Sequence, residues 1–236
     1  MPKHIAILLL IVFNSITLSA QKFKDQNQPE VDFKPLHFGF MVGLNTQNLL
    51  FNHVDQSANA EKWYAEIPSY SPGFTVGLMA DLLLDYHFNL RFTPSLNFGS
   101  KEVHFRELNS NTIDKQQLKS NYLLFPLELK YSALRLNNSR PYLLIGGAGG
   151  IDISRKQGES ELIRLNAIDY YIEVGVGCDF YKEYFKLIPE LKFCFGLRNM
   201  LLKDRKDLLD TPEINKYTHA LSGVTSRLVV LSFYFE

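Results

Sequence analysis

Eight stretches of this sequence alternate apolar and polar residues with a period of two. That period belongs to a strand with one face in an apolar medium and the other in a polar one. The stretches are residues 36–44, 73–84, 88–98, 122–132, 141–149, 167–180, 185–196 and 223–235. Between them, long and short connections take turns. Residues 45–72, 99–119, 150–165 and 198–221 are long and polar, with strand extensions near Val103 and Phe105 left open; residues 85–87, 134–139 and 181–183 are short. In a meander, alternate connections lie at one end. All four long loops therefore share a side, and the short turns and both termini share the other. The pattern predicts an all-β, eight-stranded antiparallel up-and-down transmembrane β-barrel, with N- and C-termini periplasmic and four long loops external.

The two faces carry different chemistry. One has Phe, Leu, Tyr, Val or Ile at nearly every position. The other bears Arg91, Glu128, Lys130, Glu173, Glu190 and Lys192, interleaved with Gly77, Gly175, Gly177 and Gly196. An eight-stranded barrel has room inside for side chains and little for bulk water. Charges placed there must pair. Balanced signs with small neighbours predict a packed lumen holding a structural charge network, with no pore. The inverse arrangement, a secreted soluble barrel with a greasy lumen and a ligand, has trouble fitting so many large apolar residues inside. Two stretches blur the rule. Residues 141–149 are apolar or glycine on both parities, and residues 223–235 mix Arg227 and Phe233 on one parity with Leu228 and Val230 on the other; a bulge would restore the phase.

Residues 1–20 read as a cleaved signal peptide: Lys3 and His4, an apolar run over residues 5–13, then Leu18, Ser19 and Ala20 before Gln21. That run is too short for a helix to cross about 30 Å of hydrocarbon, and no later segment reaches 18 apolar residues. Residues 21–35, polar with two prolines, are expected to be a flexible periplasmic lead-in, and residues 36–236 the outer-membrane barrel domain. The chain has 18 Phe and 12 Tyr against 1 Trp, a bias that suits strands and interfacial girdles. Its formal net charge is zero, which argues against nucleic-acid binding. Cys178 and Cys194 are too few for a disulfide scaffold. A turn at residues 181–183 sets Cys178 opposite Leu187, far from Cys194, so both are expected as free thiols.

No catalytic or metal pattern emerges. The six histidines have no metal-binding spacing. The run from Gly146 to Gly150 lacks the Gly-Lys-Ser/Thr ending of a phosphate loop. No nucleophile elbow is present. Glu128, Glu173 and Glu190 read more simply as interior ion partners than as acid–base catalysts. The expectation is no enzyme, no cofactor, no metal and no small-molecule substrate. Loops on a rigid scaffold are the usual place for function. Trp63 and Tyr64 in the first long loop, and Lys203, Arg205 and Lys206 in the last, are the candidate partner contacts.

Several stretches resemble a known family in order along the chain: His37 to Asn45, Pro72 to Gly77, Leu90 to Pro94, and Phe125-Pro126-Leu127-Glu128-Leu129-Lys130-Tyr131. Further on come Arg140-Pro141-Tyr142, Asp169 to Gly175, and Phe185 to Phe193. Together they resemble the PorT family of Bacteroidetes outer-membrane proteins. The resemblance implies localisation in the outer membrane and a non-enzymatic role in the type IX secretion system, which exports sorting-domain proteins and in some species supports gliding motility. It implies partners among outer-membrane lipids and other secretion-system proteins. It transfers no catalytic residues. Two other readings stay open: a generic small barrel for envelope stability or adhesion, and the secreted soluble ligand-binding barrel.

Overall fold

The computed structural model describes residues 26–53, 63–66, 71–107, 113–154, 165–202 and 221–236. The signal peptide expected over residues 1–20 lies outside them. Ten strands are present among the described residues: β1 (Leu36–His53), β2 (Trp63–Glu66), β3 (Pro72–Leu83), β4 (Phe88–Phe92), β5 (Ser95–Glu107), β6 (Ile113–Ser132), β7 (Ser139–Asp152), β8 (Ile168–Tyr181), β9 (Lys186–Gly196) and β10 (Leu221–Phe235). Their ladders are antiparallel. β1 pairs with both β3 and β10, which closes the sheet into a ring.

The ring has eight staves, because β4 and β5 are one stave with an interrupted ladder. Phe92 lies opposite Leu127 and Ser95 opposite Leu124, so the register against β6 is the same on both sides of the break. Pro94 sits at the break, and Pro126 of β6 lies beside it, its carbonyl accepting the Thr93 amide. Neither proline has an N–H to give to the ladder. β2 is a short flap on the upper part of β5.

The apolar parity points outward. Phe38 is 67% exposed, Leu78 64% and Leu143 58%, while Arg91, Glu128 and Glu173 have no exposed surface. A soluble barrel is built the other way round. The short turns at residues 84–87, 133–138 and 182–185 lie at the same end as the start of β1 and the end of β10.

Three expectations are corrected. First, residues 45–53, 99–107 and 113–119, expected as loop apart from the strand extensions left open near Val103 and Phe105, belong to β1, β5 and β6. The chain alternates there too, but with reversed polarity. Inward Leu49, Val103, Phe105, Leu221 and Val224 form an apolar core with Ala65, while Glu102, His104 and Arg106 take the outward parity. Past the apolar band, water is outside, so the barrel turns its greasy face in.

Second, β7 and β10 need no bulge to restore their phase. The β9–β10 register runs unbroken from Arg227 to Phe235, and the shift in β10 against β1 comes only at Asn52/His53. Their inward apolar residues fill the lumen: Tyr142 and Leu144 pack with Met41, Met79, Ile188 and Tyr234, and Leu228 and Val230 with Tyr122, Leu124 and Tyr171. Third, Leu187 faces Phe180 and not Cys178, because the hairpin turn is residues 182–185. Both thiols are free. The described part of the lead-in makes side-chain contacts with the barrel. Val31–Phe33 forms a 3-10 turn laid across the turn end of the barrel.

Candidate functional site: the lumen and its two mouths

Alternation alone delivers the mid-barrel charges to one place. Every second residue of each stave points inward, so Asp81, Arg91, Glu128, Lys130, Glu173, Asp179, Glu190 and Lys192 arrive inside from five different strands, β3, β4, β6, β8 and β9. Arg91 is the hub. Its guanidinium Nη2 is 2.8 Å from Asp81 Oδ2 and its Nη1 is 2.9 Å from Glu190 Oε2. Tyr142 and Tyr234 donate hydroxyl hydrogen bonds to the two Glu190 oxygens at 2.7 and 2.8 Å. Lys130 holds Asp179 at 2.7 Å and reaches Asp81 at 3.9 Å. Lys192 Nζ is 2.5 Å from Glu128, with Glu190 at 3.5 Å and Glu173 at 3.6 Å. The Arg91 guanidinium also lies 5.1 Å from the centroid of the Tyr142 ring and 5.3 Å from that of Tyr234. In a medium of low dielectric such pairs are strong and their separation is expensive.

All six charged residues anticipated for the lumen fall in this network. Asp81, Asp179, Tyr142 and Tyr234 were not anticipated as members. Asp179 shares the parity of Glu173 on β8, and Asp81 shares that of Met79 on β3, so parity was the available signal. The two tyrosines read as apolar packing because their hydroxyl partners lie on other strands. Gly177 makes room for one of them: a Cβ there would lie 2.3 Å from the Tyr142 ring.

A strap crosses the turn end. Asp32, in the 3-10 turn, accepts a hydrogen bond from the Tyr181 hydroxyl. It lies 3.3 Å from Arg135 Nη1 and 3.6 Å from Arg140 Nη1. The Asn27 amide donates to Asn138 Oδ1 at 2.8 Å, and the Arg135 guanidinium stacks 3.6 Å over the Tyr181 ring. Beside the strap, Glu236 is 2.8 Å from Lys186 Nζ and 2.5 Å from His37 Nδ1. Burial pushes the Glu236 carboxyl up, but the His37 hydrogen bond and the Lys186 ammonium outweigh it and hold the group down at about 2.

The loop end is stoppered by residues that follow β9. Met200 is fully buried against Tyr122, Leu124 and Tyr171. Its amide donates to the Val224 carbonyl at 2.8 Å, and its carbonyl accepts from the Asn166 amide at 2.7 Å. Leu201 bridges to Leu165. Of the candidate partner residues, Trp63 and Tyr64 lie on β2, opposite Glu107 and Arg106. Lys203, Arg205 and Lys206 lie outside the described residues. Among the described residues, no group of three or more His, Cys, Asp or Glu side chains is arranged to hold a metal ion.

A family model described as outer membrane protein beta-barrel domain matches residues 20–202. No curated protein matches significantly. Solved structures with a related shape include Neisserial surface protein A, at 7% identity and TM-score 0.43 over 85% of this chain and 98% of that one. OprG of Pseudomonas aeruginosa aligns at 11% identity and TM-score 0.42 over 84% and 91%. The attachment invasion locus protein Ail of Yersinia pestis aligns at 13% identity and TM-score 0.37 over 84% and 96%.

Proposed function

This chain belongs to the outer membrane protein beta-barrel domain family, and on that premise we propose that it is a closed, non-enzymatic component of protein export that acts through contacts on its surfaces. The observation that carries this reading is the filled lumen. Arg91 and the carboxylates around it occupy the middle, Met200 the loop end and the Asp32 strap the turn end. A barrel packed in this way gives a solute no path, and its charges are engaged with one another rather than presented to a substrate. What is left for function is the outer wall against lipid, the loop rim and the strap.

The ordered motifs that resemble the PorT family support type IX secretion as the process, with other secretion-system proteins as partners. The candidate contacts are Trp63 and Tyr64 on β2 and Lys203, Arg205 and Lys206 beyond β9. In this reading residues 1–20 are the signal for export and residues 36–236 the barrel domain. The Arg91 network serves to hold the barrel in shape. A generic barrel for envelope stability or adhesion fits the same filled lumen. The soluble ligand-binding alternative is set aside, because the large apolar side chains face outward and the chain is an outer-membrane protein.

A deletion strain assayed for secretion of sorting-domain proteins separates the two surviving readings. Loss of secretion, restored by the intact gene but not by one with the rim residues replaced, is the expected result. Normal secretion with a fragile envelope would sink the export role and leave the generic barrel.

A further inference from the structure

Among the described residues, the mid-lumen ion pairs set five carboxylates, Asp81, Asp179, Glu128, Glu173 and Glu190, against three cations, Arg91, Lys130 and Lys192. Four of the five are well provided. Asp81 accepts two hydrogen bonds from Arg91, and Asp179 two from Lys130. Glu190 accepts from Arg91, Tyr142 and Tyr234. Glu128 has the Lys192 ammonium at 2.5 Å and the Thr93 hydroxyl at 3.3 Å. Glu173 is fully buried, and neither of its oxygens accepts a hydrogen bond from an N–H or O–H group. Lys192 stands 3.6 Å away, and the Cys194 thiol beside it is a weak donor. A buried carboxylate left in that condition is costly.

The strand register explains what Glu173 meets instead. Glu128 on β6 lies opposite Gly146 on β7, and Gly146 lies opposite Glu173 on β8. Strands two apart are about 10 Å from each other, a gap that two glutamate side chains readily close over a residue with no side chain. The Glu128 side chain leans into that place: a Cβ on Gly146 would lie 2.9 Å from Glu128 Cγ. The two carboxyl groups come into hydrogen-bonding contact above the glycine. Ionised carboxylates only accept, so two of them cannot make that bond, and one must carry a proton. The other titratable groups facing the pair are Lys192, Glu190 and Cys194 of β9, Arg91 of β4, opposite Glu128, and Tyr234 of β10. Around Glu173, β1, β5 and the rest of β10 present Met41, Ser95, Asn97, Val230 and Ser232, none of them charged.

We propose that the folded barrel holds one proton between Glu128 and Glu173, a carboxylic acid hydrogen-bonded to a carboxylate, and that the closed lumen requires it. This proton gives Glu173 the partner that it lacks and removes one of the two excess negative charges. Lys192 then faces a single negative charge on the pair. The unfolded chain holds no such proton above the ordinary glutamate value of 4.5, so folding takes one up. Stability therefore falls as the pH rises beyond that value, until the proton is released. Below it both states are protonated and the contribution is constant. The pair is weakened by alkali, in the opposite sense to the Glu236 contacts. It serves the fold and is independent of any role in secretion.

The test follows urea unfolding of the full barrel, refolded in bilayers, from mildly acidic to alkaline pH, in the native protein and in Glu173→Gln. The introduced amide can donate to Glu128 at every pH. The native protein is expected to lose stability relative to the variant as pH rises, by up to about tenfold in the unfolding equilibrium constant per pH unit. Curves that stay parallel overturn the proposal. Infrared spectra of the folded protein in heavy water give a second reading. At neutral pH the native protein is expected to show the carbonyl stretch of a protonated carboxylic acid, lost in Glu173→Gln and in Glu128→Gln. Absence of that band from the native protein, or its persistence in both variants, overturns the proposal. If neither variant refolds, the native band alone decides the outcome.

Discussion

Arg91 shows how one lumen residue carries several strands. It joins β4 to β3 through Asp81 and to β9 through Glu190, with Tyr142 of β7 and Tyr234 of β10 closing around the same carboxylate. Arg91→Ala strands two carboxylates in a dry interior and is expected to destabilise the barrel by about 3–5 kcal/mol, as removal of one partner of a buried pair does. Arg91→Lys should recover only part, since a lysine cannot reproduce the two-point contact with Asp81. Urea unfolding in bilayers measures both. Two glycines make a sharper contrast. Gly177→Ala drives a methyl into the Tyr142 ring, whereas Gly149 has no atom within 4 Å of an added Cβ. The first is expected to cost about 1–3 kcal/mol and the second to change the unfolding midpoint little.

Glu236 gives a residue-scale pH dependence. Its folded carboxyl titrates at about 2, below its ordinary value of 4.5. Its contribution is therefore present above the unfolded value and lost as pH falls from about 4.5 toward 2. The stability gap between the native protein and Glu236→Gln should close over that window. A gap that stays constant to pH 2 would show that the Lys186 and His37 contacts contribute nothing through the charge.

Among the elements, the strap and the loop-end extensions depart most from the sequence pattern. The strap has no apolar period to announce it. Its order comes from Asp32, Asn27 and Gln28 meeting Arg135, Asn138, Tyr181 and Lys182, residues more than 100 positions away in the chain. Asp32→Ala removes the centre of that contact set. Amide hydrogen exchange at Val31–Phe33 should accelerate, while protection in β6 to β9 is retained, because the strap lies outside the ring. The extensions read as loop because their outward residues are polar, and a polar run between strands is usually a connection. Alternation persisted through Leu49, Val103 and Phe105, but with its sense reversed, and only the paired strand shows which parity is inside.

At the scale of the whole molecule, the filled lumen predicts electrical silence. The protein reconstituted in planar bilayers is expected to give no channel steps, and discrete conductance from the native protein would contradict the closed reading. Much of this architecture was legible beforehand. The number of staves, the shared side of the termini and the inward parity of Arg91, Glu128, Lys130, Glu173, Glu190 and Lys192 all follow from a period of two and the alternation of long and short connections. That information is local, so a linear sequence carries it. The pairing of those charges is not local. Which carboxylate meets Arg91, why Tyr142 and Tyr234 share Glu190, and why Glu173 is left facing a cavity depend on the curvature and stagger of the closed ring, which set the heights at which strands distant in sequence meet. By itself the sequence determined a barrel that faces lipid with its apolar side. Only closure of that barrel decided how its interior is wired and sealed, because inside a ring every side chain's surroundings are supplied by other strands.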